Sequence, residues 1–190
     1  MHTLAKPSRE RGDTLIEVLV AISVFAVVVV GAFALMNRGV AQMYDSMEKA
    51  QVRMLLNGQI ETLTYARDQY LRSQSMPLTT QQDQRAKQTW DWIKAQTDTP
   101  VAVPGLTSCT PSGSAFFILT DNNGMTPSST VTNTVAAGFP SAGNGIWIQQ
   151  MPSSGSVTPS YVDFYIRACW AQNSNNQTQV LSTVVRLYDN

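Results

Sequence analysis

The chain has 190 residues with 13 basic and 13 acidic side chains, room for one modest domain plus an anchor but not for two large domains. A formal charge of zero gives no case for wrapping nucleic acid non-specifically. One histidine, His2, and two cysteines leave little imidazole or thiol for metal ligation or base catalysis.

Met1 to Gly12 is short, polar and basic, with Lys6, Arg9 and Arg11 set against Glu10. From Val18 to Asn37 no side chain is charged, and twenty residues at helical rise cover roughly 30 Å, one bilayer core. A Lys/Arg excess ahead of such a span holds the N-terminus in the cytoplasm and sends the bulk of the chain outside. A secretory signal would end in a small-residue cleavage site, for which Ala34 is the nearest place. The span is long for a removable core, however, and Phe33-Ala34-Leu35-Met36-Asn37-Arg38-Gly39 continues the helical pattern. Glu17 stands at the front edge, where an acid costs a few kcal/mol in hydrocarbon unless it finds a partner or a function. Hydropathy alone does not separate a plain single-pass anchor, its Glu17 reaching the headgroups, from an anchor with a further task.

The residues around Gly12 do separate them. A basic leader, Gly12 and then Thr14-Leu15-Ile16-Glu17-Val18-Leu19-Val20-Ala21-Ile22 resembles the N-terminal signature of type IV pilins and type II secretion pseudopilins. The resemblance implies a leader at 1–12, cut between Gly12 and Asp13 by a membrane-embedded prepilin peptidase that also methylates the new N-terminus. It implies that Glu17, the fifth mature residue, is an assembly carboxylate facing the N-terminal amine of a neighbouring subunit. The implied partners are that peptidase, the membrane and other pilin-like subunits, with an assembly platform and its ATPase acting indirectly; no cofactor is implied. A buried carboxylate offsets its desolvation only when a well-placed charge meets it, so a neighbour out of register is penalised. The sequence departs from the pattern in two places. Asp13 stands where the family commonly has a large apolar residue, and its charge lies four residues from Glu17, on the same helix face, where like charges repel modestly. The span also lacks a proline, Gly31 and Gly39 being milder weak points, each about 1 kcal/mol poorer than alanine. The missing proline leans towards a minor or pseudopilin-like subunit. Without the leader the chain carries ten basic and twelve acidic side chains.

Beyond the membrane segment at 13–37, an amphipathic stalk helix is expected over 38–75. Met36, Val40, Met43, Met47, Ala50 and Met54 recur at spacings of four and three, a narrow apolar seam. Such a seam either packs on its own domain or bundles with neighbouring subunits. Leu56, Ile60, Leu63 and Tyr70 continue it in a shifted phase, placing a bend or the start of the globular domain near Gly58. Pro77 ends the helix no later than about Ser75.

The domain at 76–190 opens with a second helix after Thr79-Thr80, with Ala86, Trp90 and Ile93 at i, i+4 and i+7. Trp90 and Trp92 read as pins onto a core in preference to a ligand platform. Pro100 and Pro104-Gly105 then break the chain. Ala115–Thr120 is a short apolar strand closed by the turn Asp121-Asn122-Asn123-Gly124. Met125–Gly145, rich in Ser, Thr, Gly and Pro, reads as a surface loop, and Ile146–Gln149 as the next strand. In Tyr161–Trp170 the residues Val162, Phe164, Ile166 and Ala168 alternate with Asp163, Tyr165, Arg167 and Cys169, as a sheet with one buried face requires. After a polar loop, Val180–Tyr188 pairs with it. The fold class is therefore α+β, a long N-terminal helix packed on a C-terminal antiparallel sheet in the pilin layout that the N-terminus implies.

Cys109 and Cys169 would leave the cytoplasm with this domain, so a disulfide is the first expectation and two buried thiols the alternative. No GxSxG, Walker, HExxH or CxxC pattern occurs. Asp121-Asn122-Asn123-Gly124 offers oxygens but lacks the later bidentate glutamate of a calcium loop, so no metal is expected. Two function classes follow. One is a non-enzymatic structural subunit, a minor pilin or pseudopilin, processed in the cytoplasmic membrane and then displayed in a cell-surface filament. The other is a single-pass anchored extracytoplasmic binding module or hydrolase domain. Adhesion, motility, DNA uptake and protein secretion all use filaments with this kind of N-terminus.

Overall fold

A computed structural model of the chain describes residues 13–96, 109–111, 114–132, 138–151, 161–172 and 176–188. The leader at 1–12, with Gly12, and the breaks at Pro100 and Pro104-Gly105 lie outside the described residues. The chain forms two compact units, the first ending at Tyr44 and the second beginning at Asp45. One helix, α1 (Asp13–Ser75), contributes to both and passes through Gly58 unbroken. It ends where Pro77 cannot continue the ladder, its last turn closed by the Met76 N–H on the Arg72 carbonyl at 2.9 Å.

In the second unit, α1 buries Val52, Leu56, Leu63 and Ala66, spacings of four, seven and three that make one face. A short link leads to α2 (Gln81–Ala95), whose first turn is capped by the Thr80 hydroxyl accepting from the Asp83 N–H at 3.1 Å. Ala86, Trp90 and Ile93 of α2 are buried in the same core. Tyr65 of α1 donates its O–H to Asp83 Oδ1 at 2.6 Å and so ties the two helices.

The strands form a hairpin, β1 (Phe117–Asp121) with β2 (Gly124–Ser128), and a four-stranded sheet of β3 (Ser141–Ala142), β4 (Gly145–Met151), β5 (Tyr161–Ala171) and β6 (Thr178–Tyr188) in that spatial order. β4, β5 and β6 are antiparallel, while the two-residue β3 runs parallel to β4. Ile148 faces Ile166, and Phe164 faces Val185. The hairpin turn is the one expected, with the Asn123 N–H on Asp121 Oδ1 at 2.8 Å and Gly124 at φ +118°. Phe116 and Ile148 exchange backbone hydrogen bonds of 2.9 and 2.7 Å and so join the hairpin to β4. Gly143, at φ +77°, lies against the Phe117 ring so closely that a Cβ would overlap it.

Two readings of the strands are corrected. Met125–Gly145 is not one surface loop: β2 extends to Ser128, and Ser141–Ala142 pairs with β4. Its Ser/Thr/Pro composition misled because β2 has a partner on one side only among the described residues, where Pro127 is tolerated. Nor does β5 bury a single face. Tyr165, Arg167 and Cys169 are as buried as Phe164, Ile166 and Ala168. A second apolar cluster of Ala115, Trp147 and Cys169, with Cys109, Val131 and Val180 around it, covers that face.

Candidate processing and assembly site

The first unit is the helical segment that opens at Asp13. From Leu15 to Tyr44 all its large apolar side chains except the half-buried Val29 are exposed, Phe25 and Val27 at 68 and 74 %, and the segment is long and apolar enough to cross a membrane. Burial inside the chain therefore cannot account for this apolar surface, which calls for lipid or another protein. Within the span, the Ser23 hydroxyl donates to the Leu19 carbonyl at 2.7 Å, which satisfies it without water. Glu17 is exposed on this surface and makes no hydrogen bond or ion pair among the described residues.

The methionines of the seam are exposed in each unit. Met36, Met43 and Met54 are 65, 63 and 72 % exposed, and Val40 and Met47 are exposed too. In the second unit, Met54 is two residues from Leu56, which is only 3 % exposed. Two helical residues turn the side chain by about 200°, so Met54 and the buried Leu56 occupy opposite sides of α1 in this unit. The phase shift seen in the sequence is thus a change of face. One stripe serves the domain's own core, and the other is left uncovered.

Elsewhere the domain shows structural chemistry. Cys109 and Cys169 form a disulfide with Cα atoms 5.8 Å apart, tying residues 109–111 to the buried face of β5. Trp92 meets Phe116 edge-on at 5.7 Å, and Trp90 lies 5.8 Å from Phe164, so both tryptophans pin α2 to the sheet. Among the described residues no group of three His, Cys, Asp or Glu side chains could hold a metal ion. Asp163 and Arg186 make a bidentate pair of 2.8 and 2.9 Å between β5 and β6. That guanidinium holds the Asp163 carboxyl below its ordinary range.

Two polar side chains of α1 carried no structural signal in the sequence. The Gln59 amide donates to the Ile118 carbonyl and accepts from the Ile118 N–H, both at 3.0 Å, acting as a one-residue strand beside β1. Glu48 is only 9 % exposed, and its Oε1 is buried without a donor. Neither follows from periodicity, because both depend on how the sheet meets α1.

A family model for the prokaryotic N-terminal methylation motif matches residues 7–33. No curated protein and no solved structure matches the chain. The chain thus carries a type IV pilin-like prepilin signal, and the long helix with its antiparallel-rich sheet is an α+β arrangement like that of pilins. Motif and apolar helix together fit a pilin or pseudopilin precursor. The motif implies processing by a prepilin peptidase and assembly with other pilins in a membrane, and it points to a structural role.

Proposed function

We propose that this protein is a minor pilin or pseudopilin, a structural subunit of a type IV pilus-like filament. It enters the cytoplasmic membrane as a single-pass prepilin with leader 1–12 inside and the domain outside. Prepilin peptidase cuts between Gly12 and Asp13, and segment 13–37 then passes from lipid into the filament core, with 38–75 as stalk and 76–190 as the displayed domain. The observation that carries this reading is that apolar side chains of α1 stay exposed in the first unit and again beyond the membrane span at Met47 and Met54, behind a methylation motif. A plain membrane anchor needs apolar surface only across the bilayer, and the seam beyond it is what a helix–helix neighbour would cover.

Glu17 supplies the register. In the membrane it is an unpaired acid at the hydrocarbon edge, and the N-terminal amine of an adjacent subunit converts it into a paired one. The cytoplasmic ATPase and its platform drive extraction from outside this chain. Absence of a helix proline supports a minor subunit over the major one.

The test is the mass and N-terminal sequence of the membrane-extracted protein together with filament incorporation of Glu17→Ala. The expected chain begins at Asp13, and Glu17→Ala is cleaved normally yet incorporated at least tenfold less. A chain that retains Met1 in cells with active prepilin peptidase, or normal assembly of Glu17→Ala, would overturn the reading.

A further inference from the structure

We infer that the outer edge of β6 is a docking site for an extended segment of another protein, which adds as a further strand and sets an acidic side chain against Arg53. β6 is the last strand of its sheet among the described residues and pairs with β5 over eleven residues, Thr178–Tyr188, without a bulge. It contains neither proline nor glycine, and its one charge, Arg186, is held by Asp163. Sheets normally blunt such an edge with lysine, proline, a bulge or a covering element, because its unpaired N–H and C=O groups recruit strands. Elsewhere α1 covers strand backbone itself. Gln59 bonds both backbone groups of Ile118, and Arg67 Nε donates to the Tyr188 carbonyl at 2.7 Å. Between Thr178 and Leu187 no α1 side chain does the same among the described residues.

At Leu181–Thr183 the edge instead borders an open groove of about 290 Å³, whose opposite wall is Arg53, Leu56 and Asn57 of α1. Successive side chains of a strand point to opposite faces, so three consecutive residues line one groove only where it runs along the strand's edge. The α1 residues stand three and four apart and make one helix face. The volume lies at the lower bound of small-molecule sites, roughly 300 Å³, and an open trough of that size suits part of a peptide in place of an enclosed ligand. Its lining sets the character of that peptide. Leu56 and Leu181 are its apolar walls, and Arg53 is its one charged residue, exposed and without a hydrogen bond or ion pair among the described residues. A strand added beside β6 turns every second side chain towards α1. The pattern that fits is an apolar residue for the two leucines and, two positions away, an acid for Arg53. Val184, 51 % exposed on the other face of β6, meets the intervening side chains. The end strands of this sheet in a second copy, β3 and β6, carry no acid for Arg53, which favours another protein as the occupant.

The experiment measures, by fluorescence anisotropy, binding of the detergent-solubilised full-length chain to a labelled, end-blocked peptide, TVTLTDT, whose leucine and aspartate share one face. Two further versions carry N-methyl groups on alternate amides, one set at odd and one at even positions. A strand bonds an edge through alternate residues only, so one version should lose binding about tenfold or more while the other stays within about threefold of the parent. Arg53→Gln should weaken the parent peptide about threefold to tenfold, and so should exchange of the peptide's aspartate for asparagine. The two changes together should cost no more than either alone. Arg53 is exposed, so Arg53→Gln should keep the wild-type thermal midpoint. Absence of binding at about 1 mM peptide, equal binding of the two N-methylated versions, or additive losses for Arg53→Gln and the asparagine peptide would overturn the inference. A concentration-dependent dimer of the chain that Arg53→Gln disperses would assign the edge to a second copy and overturn it as well. Filament incorporation does not enter these measurements, so the docking edge stands or falls apart from the filament reading.

Discussion

Gln59→Ala is the sharpest probe of how the domain is held on α1. The Gln59 amide is the only side chain bridging both backbone groups of Ile118 among the described hydrogen bonds, with both contacts at 3.0 Å, and Ile118 itself is 1 % exposed. Truncation leaves a buried N–H and a buried carbonyl without partners, each costing about 1–3 kcal/mol. Gln59 is only half-buried, so water recovers part of this, and the expected loss is about 2–4 kcal/mol. Against a total of roughly 5–15 kcal/mol, that is a large fraction. It corresponds to a drop of about 5–15 °C in midpoint for a domain of this size. The assay is urea and thermal unfolding of the detergent-solubilised chain followed by tryptophan fluorescence, since all four tryptophans lie beyond Asp45. Gln59→Glu separates the two bonds. It keeps the acceptor for the Ile118 N–H but sets a carboxylate against the Ile118 carbonyl, so it should be at least as damaging at neutral pH and should recover in acid. A loss below about 0.5 kcal/mol for Gln59→Ala, where cap and bond deletions typically exceed it, would refute the reasoning. So would wild-type stability of Gln59→Glu.

Two further outcomes follow from the domain. Reduction, or paired Cys109→Ser and Cys169→Ser changes, opens a link with a sequence separation of 60 and should cost about 2–4 kcal/mol, read as a lower midpoint under dithiothreitol. Stability should also depend on pH through the contact between α1 and α2. Hydrogen bonds from Thr80 and then Tyr65 hold Asp83 below its ordinary 3.8, and the same bond to Asp83, with burial, holds Tyr65 above 10.0. The Asp83 contribution is present above about pH 4 and is lost as acid drives the folded group to protonate. The Tyr65 contribution is present below about pH 10 and is lost as alkali ionises the phenol. Tyr65→Phe should therefore flatten the alkaline limb and shallow the acid limb, leaving the Asp163–Arg186 contribution to acid sensitivity in place. Equal pH profiles for Tyr65→Phe and wild type would exclude this linkage.

Sequence alone determined the parts of this protein whose physics is local. Twenty uncharged residues at helical rise define a span whatever surrounds them, and Gly12, Thr14 and Glu17 lie in a fixed register with it. Pro77 stops a helix by covalent geometry. Asp121-Asn122-Asn123-Gly124 turns because its own side chain and a positive φ make it turn. Tertiary structure alone decided where surfaces meet. Met54 and Leu56 look alike as apolar residues of one amphipathic helix, and only the sheet's position shows that Leu56 is covered and Met54 is left exposed. Arg167 in an alternating strand reads as solvated until a second apolar cluster closes over that face. Gln59 and Glu48 are polar residues on a helix with no local signal. Their surroundings arise because the backbone of Ile118 comes within hydrogen-bonding reach of the first, while the fold buries an oxygen of the second without a donor. Burial and partner choice are properties of distant segments brought together, and a pattern of spacing along one segment does not contain them.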